Sequence, residues 1–197
     1  MTESPTTPTT ASCFNVFFTG QIEALDFPLG PNAPEVFCRY EVISGPDWKL
    51  VSGLQKGITQ TASNKSGYFK DKIFLNFPLE WTYKSTTPFG WPQLIICVYG
   101  KTRWGAETGL GYSRINLPVF CSQANETISA PIIIPRNTNM VSELASWITG
   151  RNPELKDPTA LLSSGKIKGI SAESYGEIVF NLSTILRGTN RLGYDWS

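Results

Sequence analysis

Hydrophobic and polar residues alternate with a period of two along several segments of the chain. In the first of these segments four apolar residues fall on one side and polar residues on the other: Phe14, Val16, Phe18 and Ile22. Because successive side chains of a β-strand point to opposite faces, this pattern predicts a strand with one buried face. The same alternation predicts strands at three further groups: Val36, Cys38, Tyr40 and Val42; Ile73, Leu75 and Phe77; Ile178, Phe180 and Leu182.

Two segments are apolar without alternation, residues 94–99 and 132–134. Short continuous apolar runs are typical of strands that are covered on both faces. Glycine and proline residues separate these segments at short intervals, as turns between strands do. The pattern therefore predicts an all-β protein, an antiparallel β-sandwich of about eight strands.

One segment has helical periodicity instead. Four apolar residues recur at a spacing of three or four: Val141, Leu144, Ala145 and Ile148. Asn139 can cap the N-terminus, Glu143 complements the positive end of the helix dipole, and Gly150 can end the helix. The sequence predicts one short helix near residues 139–150, which must dock its apolar stripe on another surface because it is too short to be stable alone.

The chain of 197 residues has the size of one domain, and 41% apolar residues can supply its core. Residues 1–11 form a tract rich in Thr and Pro, which predicts a disordered tail ahead of a single domain at 12–197. The tract has no basic or apolar region of the kind found in signal peptides, so we expect an intracellular, reducing compartment. No apolar run is long enough to cross a bilayer.

Charge and histidine content exclude several classes of function. Seventeen Lys and Arg residues balance sixteen Asp and Glu residues to a net charge of +1, so no overall field attracts nucleic acid. The chain has no histidine. This removes histidine-activated nucleophiles and histidine-bound metals. The four cysteines, Cys13, Cys38, Cys97 and Cys121, lack the paired spacing of zinc sites and are expected to be core residues.

Other candidates for chemistry are weak. Ser163 and Lys166 have the spacing of a serine–lysine nucleophile, but they lie in a Gly/Ser-rich stretch that could not hold them together. Glu173 and Glu177 are better explained as solvated strand residues than as a glycosidase pair. The five aspartates stand singly, whereas a calcium loop needs several converging carboxylates. We therefore predict no catalytic residue, no metal and no cofactor.

Six tryptophans are the remaining unusual feature of the composition. Core and turn packing explains most of them, because large aromatic side chains dominate the packing of small cores. Trp48 and Trp104 are expected in loops between strands, where an indole ring can anchor a protein partner. These two residues are the predicted partner-binding residues.

Several short motifs of the sequence, in their order and spacing, resemble those of the B9-domain family. They are Gly20–Glu23, Gly45–Trp48, Ser52–Leu54, Asn76–Pro78, Lys84–Gln93, Val98–Gly100, Trp147–Glu154 and Arg191–Asp195. The ten-residue block Lys84–Gln93 is the most specific, and the resemblance covers about residues 14 to 195. We predict that this block is a turn in which Pro88 and Pro92 fix the backbone, Gly90 takes a left-handed step and Trp91 anchors the following strand.

The resemblance implies a C2-like β-sandwich that acts as a scaffold at the ciliary transition zone and basal body, on the cytoplasmic side. It also implies partners: other B9-domain proteins, including the Meckel syndrome type 1 protein, and tectonic-type and transmembrane proteins. Such an assembly would support ciliogenesis and the ciliary membrane diffusion barrier. It implies no catalytic residues, and any membrane association would be peripheral. A calcium-independent phospholipid-binding C2 module is the main alternative, and an intracellular carbohydrate-binding sandwich is a more distant one.

Overall fold

The computed structural model describes residues 13–28, 33–63, 72–101, 105–119, 126–135 and 172–194. Nine strands run through these ranges: β1 (Phe14–Asp26), β2 (Glu35–Ile43), β3 (Lys49–Gly53), β4 (Lys56–Ile58), β5 (Lys72–Ser85), β6 (Gln93–Lys101), β7 (Glu107–Asn116), β8 (Glu126–Pro135) and β9 (Ala172–Arg187). A 3-10 turn at Asn190–Leu192 follows β9. The tail predicted at 1–11 and the helix predicted near 139–150 lie outside the described residues.

The nine strands form one antiparallel sheet in the order β3-β5-β1-β9-β8-β7-β6-β2-β4. β7 and β8 share one registered pair, Tyr112 with Ile133, whereas their other neighbours pair over long stretches. The sheet curls at this narrow junction, and its two halves face each other across one core. The contact between the rings of Tyr40 on β2 and Trp81 on β5, with centroids 6.0 Å apart, joins the halves. The predicted all-β, antiparallel sandwich is confirmed, with nine strands in the described ranges where about eight were expected.

The buried faces follow the alternation in the sequence. On β1, Phe14, Val16 and Ile22 are completely buried, and the polar residues between them point away from the core. The other alternating segments behave in the same way, with Phe77 only partly buried. On β6 the run from Leu94 to Val98 is buried along its whole length, which confirms that both faces of this strand are covered.

β3 and β4 are consecutive in the chain but lie at opposite ends of the sheet order. The chain between them closes the curled sheet, and hydrogen bonds to both halves hold it in place. The Trp81 indole N–H on β5 donates to the Leu54 carbonyl oxygen at 2.7 Å. The Val42 amide on β2 donates to the Gln55 carbonyl oxygen at 2.8 Å. One short connection therefore fastens the two ends of the sheet to each other.

Candidate interaction surface

Trp48 lies inside the fold, at the end of the sandwich where the β2–β3 and β5–β6 loops meet. Its side chain is 6% exposed, and its ring meets Trp91 edge-on at 5.0 Å and Phe14 at 5.6 Å. Its indole N–H donates to the Phe89 carbonyl oxygen at 2.8 Å. Trp48 thus packs in the core and holds the neighbouring loop by that hydrogen bond.

The Lys84–Gln93 block has the predicted turn geometry. Gly90 takes a left-handed conformation with φ of 70°, and the Gly45 amide donates to its carbonyl oxygen at 2.8 Å. The Trp91 ring is partly buried against the core, and its N–H donates to the Leu117 carbonyl oxygen at 2.8 Å. The predictions for Gly90 and Trp91 are confirmed. Phe89, at the tip of this turn, is 82% exposed.

The two predicted partner-binding residues are not brought together by the structure. Trp48 is buried as described, and Trp104 lies outside the described residues. A contact between a partner and either tryptophan stays a prediction. Phe89, in the β5–β6 turn beside Trp48, exposes its aromatic side chain to solvent. The sequence pattern did not single out this residue.

The β3–β4 ribbon, residues 49–58, carries the largest group of exposed large apolar side chains among the described residues. Three large apolar side chains point to solvent within it: Val51 at 59%, Leu54 at 70% and Ile58 at 60% exposure. β3 pairs with β5 and β4 pairs with β2, and no strand of the described ranges pairs with their other edges. An open strand edge with apolar side chains is a template for pairing with another chain.

Sequence reasoning missed the ribbon as a surface. Its strands are short, and nearly all of their side chains are exposed, so no alternation of buried and exposed positions marks them. The signal that could have found it is the combination of three large apolar residues with Gly53 and Lys56 in a segment without period. A segment without the period of a strand or helix has no face that the sequence pattern assigns to the core.

A groove of about 410 Å³ lies beside the ribbon on the outer face of β2, β4 and β6. Its floor includes Ile95 and Cys97, and its rim carries paired charges. Lys56 Nζ lies 2.8 Å from Glu41 Oε1, and Arg39 Nη2 lies 2.8 Å from Glu107 Oε2. Because these cations already have carboxylate partners, the groove offers an apolar floor rather than a charged ligand site.

The Arg39 side chain is held by aromatic rings as well as by its ion pair. Its guanidinium carbon lies 4.6 Å from the Tyr99 ring centroid and 5.6 Å from that of Phe37. The Phe37 and Tyr99 rings stack at 5.4 Å. Cation–π contacts of this kind attract a cation to the ring face. One ion pair and two aromatic rings therefore hold Arg39 against the outer face of the sheet.

The described residues gather no chemistry beyond these contacts. Burial, together with the nearby Cys97, raises the pKa of the Cys38 thiol, so that thiol stays protonated and is a poor nucleophile. No three side chains of Cys, Asp or Glu come together in the described ranges in a way that could hold a metal ion. Among the same residues, no helix is long and apolar enough to cross a membrane.

Comparisons with known proteins agree on one family. The family model B9-C2, described as "Ciliary basal body-associated, B9 protein", matches residues 16–185. The chain is 50% identical over 191 residues to B9 domain-containing protein 1 of Drosophila melanogaster, covering 95% of this chain and 79% of the relative. It is 33% identical to the mouse protein of that name, covering 93% and 87%.

A second group of relatives is more distant. B9 domain-containing protein 2 of Xenopus laevis is 25% identical over 162 residues, covering 82% of this chain and 89% of the relative. Among solved structures, a C2 domain of plant Extended Synaptotagmin 1 aligns with a TM-score of 0.40 and 10% identity, covering 86% of this chain and 93% of that domain. The family model spans the strands of the sandwich from β1 to β9, and the chain belongs to the family of ciliary basal body-associated B9 proteins.

Proposed function

We propose that this B9 protein is a non-enzymatic scaffold component of the ciliary transition zone. It works on the cytoplasmic side, where it assembles with other B9-domain proteins, the Meckel syndrome type 1 protein among them. The assembly joins tectonic-type and transmembrane partners, supports ciliogenesis and limits the passage of membrane proteins into the cilium. Membership of a family described as ciliary basal body-associated supports this role.

The observation that carries the proposal is the exposed β3–β4 ribbon. Leu54 and Ile58 are 70% and 60% exposed beside a strand edge that no described strand pairs with, whereas the other apolar segments that the structure describes are mostly buried. Covering these side chains with a partner would remove apolar surface from water, which is the main favourable term in protein association. A second B9 domain could also pair its own strand with the free edge of β3.

The ribbon supports assembly rather than catalysis. Catalytic sites are typically concave and bring several titratable groups together. The ribbon carries exposed apolar side chains, and the cations of the groove beside it are already paired. A surface of this kind can bind a protein without doing chemistry.

The experiment is a binding measurement on single ribbon variants. The purified chain is titrated with B9 domain-containing protein 2 of the same species, by calorimetry and light scattering. Leu54→Asp and Ile58→Asp each place a charge in the contact and should weaken binding by at least about tenfold. Their melting temperatures should be close to that of the wild type, because both side chains are exposed in the free protein.

The matched control is Phe74→Asp. Phe74 is 48% exposed on β5, outside the ribbon, so this substitution places the same charge on another apolar side chain of the surface. Binding should survive it. A wild-type chain that ignores every B9-domain partner would overturn the scaffold role. Equal binding by the wild type and the ribbon variants would show that the contact lies on another surface.

The location is tested by imaging. A fluorescently tagged chain in ciliated cells should concentrate in the short region between basal body and axoneme, and the Leu54→Asp variant should be diffuse. A tagged wild-type chain spread evenly through the cytoplasm would contradict the location.

Calcium-independent phospholipid binding is the second candidate, and Phe89 is the observation that favours it. This ring is 82% exposed at the tip of the β5–β6 turn, where an aromatic side chain can enter a membrane interface. Sedimentation with phosphatidylcholine vesicles in the presence of a calcium chelator tests it. Phe89→Ala should abolish sedimentation if the candidate is right, and a wild-type chain that stays in the supernatant would exclude it.

A further inference from the structure

Three cations form a row across one outer face of the sheet. In the register of β3, β5, β1 and β9, Lys49 lies opposite Lys84, Lys84 opposite Asn15, and Asn15 opposite Arg187. Neighbouring strands lie about 4.8 Å apart, so this basic row, Lys49, Lys84 and Arg187, spans roughly 15 Å. All three cationic side chains are exposed.

The basic row has no carboxylate partner in the part of the chain that the structure describes. The ion pairs found there use Arg39, Lys56 and Lys72. Lys49 and Lys84 instead face each other as a directly opposed pair of like charges, which destabilises a sheet. A groove of about 460 Å³ runs beside both lysines, with Asp47 among its lining residues. Cations that repel each other in the free protein provide a favourable place for an anionic group.

An apolar row lies directly beside the basic row. Phe17 and Ile185 are opposite each other on β1 and β9, one step further along the same outer face. On β5, Thr82 lies opposite Phe17, and beyond it the bulge of β3 carries Val51, a further apolar side chain that belongs to the ribbon. Ile185 and Val51 are 61% and 59% exposed. The face therefore offers cations and apolar side chains in parallel, and through Val51 it is continuous with the β3–β4 ribbon.

The charge on this face changes sign along the strands. Glu80 on β5 lies opposite Thr19, beyond the apolar row, and it is exposed. A ligand with carboxylates at one end would therefore be attracted at the basic row and repelled near Glu80. Such a gradient fixes the orientation of a bound segment as well as its affinity.

We propose that the basic row and the apolar row dock an acidic segment of the protein partner that covers the β3–β4 ribbon. This segment carries at least two carboxylates over the basic row and apolar side chains over Phe17 and Ile185. The inference rests on the proposed scaffold function, since it adds a second contact to that assembly. A protein fits better than a membrane because Phe17 and Ile185 lie within paired strands of the sheet and not on a projecting loop that could enter a bilayer.

The test uses B9 domain-containing protein 2 of the same species as the probe, at low and at high salt. Lys84→Glu and Arg187→Glu should each slow association on the order of tenfold at low salt, with little change in dissociation. Raising the salt to 1 M should shrink the difference from the wild type, because the screening length falls to about 3 Å. Glu80→Gln should associate faster than the wild type, because it removes a negative charge beside the docking segment.

Two controls separate docking from folding. Lys72→Glu makes the same charge change at the other end of β5, where Lys72 is paired with Asp26, and it should leave association unchanged. Lys84→Glu turns a repulsive pair with Lys49 into an attractive one, so its melting temperature should equal or exceed that of the wild type. Lost binding together with unchanged or higher stability identifies a contact rather than a damaged fold.

The outcomes distinguish the inference from the function on which it rests. If the wild type binds the probe and the row variants bind equally fast, the basic row is not a docking site and the scaffold role stands. If the wild type binds no B9-domain protein, both are wrong. If the row variants keep the probe but lose sedimentation with phosphatidylserine vesicles, the ligand is a membrane and the assignment to a protein is overturned.

Discussion

Gly45 and Gly90 touch backbone to backbone across two loops. The Gly45 amide donates to the Gly90 carbonyl oxygen at 2.8 Å, and a Cβ built on Gly90 would lie 2.6 Å from the Cα of Gly45. Only a residue without a side chain allows two backbones to approach this closely. Both glycines belong to the motifs by which the sequence resembles its family. The close approach of the two backbones explains why these motifs have glycine at the two positions.

We expect Gly90→Ala to destabilise the fold markedly. The positive φ of Gly90 costs an L-residue about 1–2 kcal/mol, and the clash with Gly45 adds to that. Gly105→Ala is the control, because Gly105 has a φ of 79° but nothing within 4 Å of a built Cβ. Urea unfolding of both variants should give the larger loss for Gly90. Equal losses would mean that the loops move apart freely.

The second prediction concerns Trp81, which fastens the ribbon. Trp81→Phe keeps a ring against Tyr40 but loses the hydrogen bond to the Leu54 carbonyl, and it should cost about 1–2 kcal/mol. Backbone amides of the ribbon should exchange with solvent faster. Trp48→Phe loses the corresponding bond to Phe89 and should leave exchange in the ribbon unchanged. Unchanged exchange in Trp81→Phe would contradict its fastening role.

The third prediction follows from a buried hydroxyl. The Tyr83 side chain is 1% exposed, and its hydroxyl has no hydrogen-bond partner among the described residues. A buried polar group without a partner costs about 1–3 kcal/mol. Tyr83→Phe should therefore unfold at a higher urea concentration than the wild type at pH 7, with a gain of about 1 kcal/mol. A less stable variant would show that the hydroxyl has a partner in solution.

The fourth prediction concerns alkaline pH. Burial raises the pKa of Tyr83 to about 12 from 10.0, and it raises the pKa of the Cys38 thiol above its ordinary 9.0. Between these values the unfolded chain loses protons that the folded chain keeps, so stability must fall as pH rises from about 9 to 12. Urea unfolding at pH 8, 10 and 11 under reducing conditions should show this decline.

Tyr83→Phe provides the control for that series. The variant lacks the phenol, so its decline above pH 10 should be shallower than that of the wild type. A stability that is constant from pH 8 to 11 would contradict the buried, protonated state of both groups.

The sequence predicted the strands that have one solvent-exposed face and one buried face. β1 is clear from Phe14, Val16 and Phe18, because burial and the period of a strand agree there. β7 was missed, because Gly111 was interpreted as one of the glycines that separate strands. Gly111 has a φ of 152°, and a Cβ built on it would lie 2.5 Å from the Ile132 side chain. Glycine at this position therefore lets the Ile132 side chain of β8 lie close to the backbone of β7.

The interaction surfaces were beyond sequence reasoning for a different reason. Lys49, Lys84 and Arg187 are far apart in the chain, and only strand pairing between β3, β5, β1 and β9 aligns them. Strand order is not encoded in local periodicity. Trp48 was chosen because it lies in a loop, yet its indole found a backbone acceptor and packed inside, as buried tryptophans usually do.

The position of β1 in the sheet constrains when the protein can fold during its synthesis. This first strand lies between β5 and β9, and its register with β9 runs from Asn15 with Arg187 to Asp26 with Glu177. Until β9 has been made, one edge of β1 has no partner and its apolar face is incompletely covered. Pairing between distant parts of a chain is slow, and such exposed edges aggregate. Nascent chains that stop before residue 177 should therefore depend on chaperones, and the sheet should form only after β9 has been made.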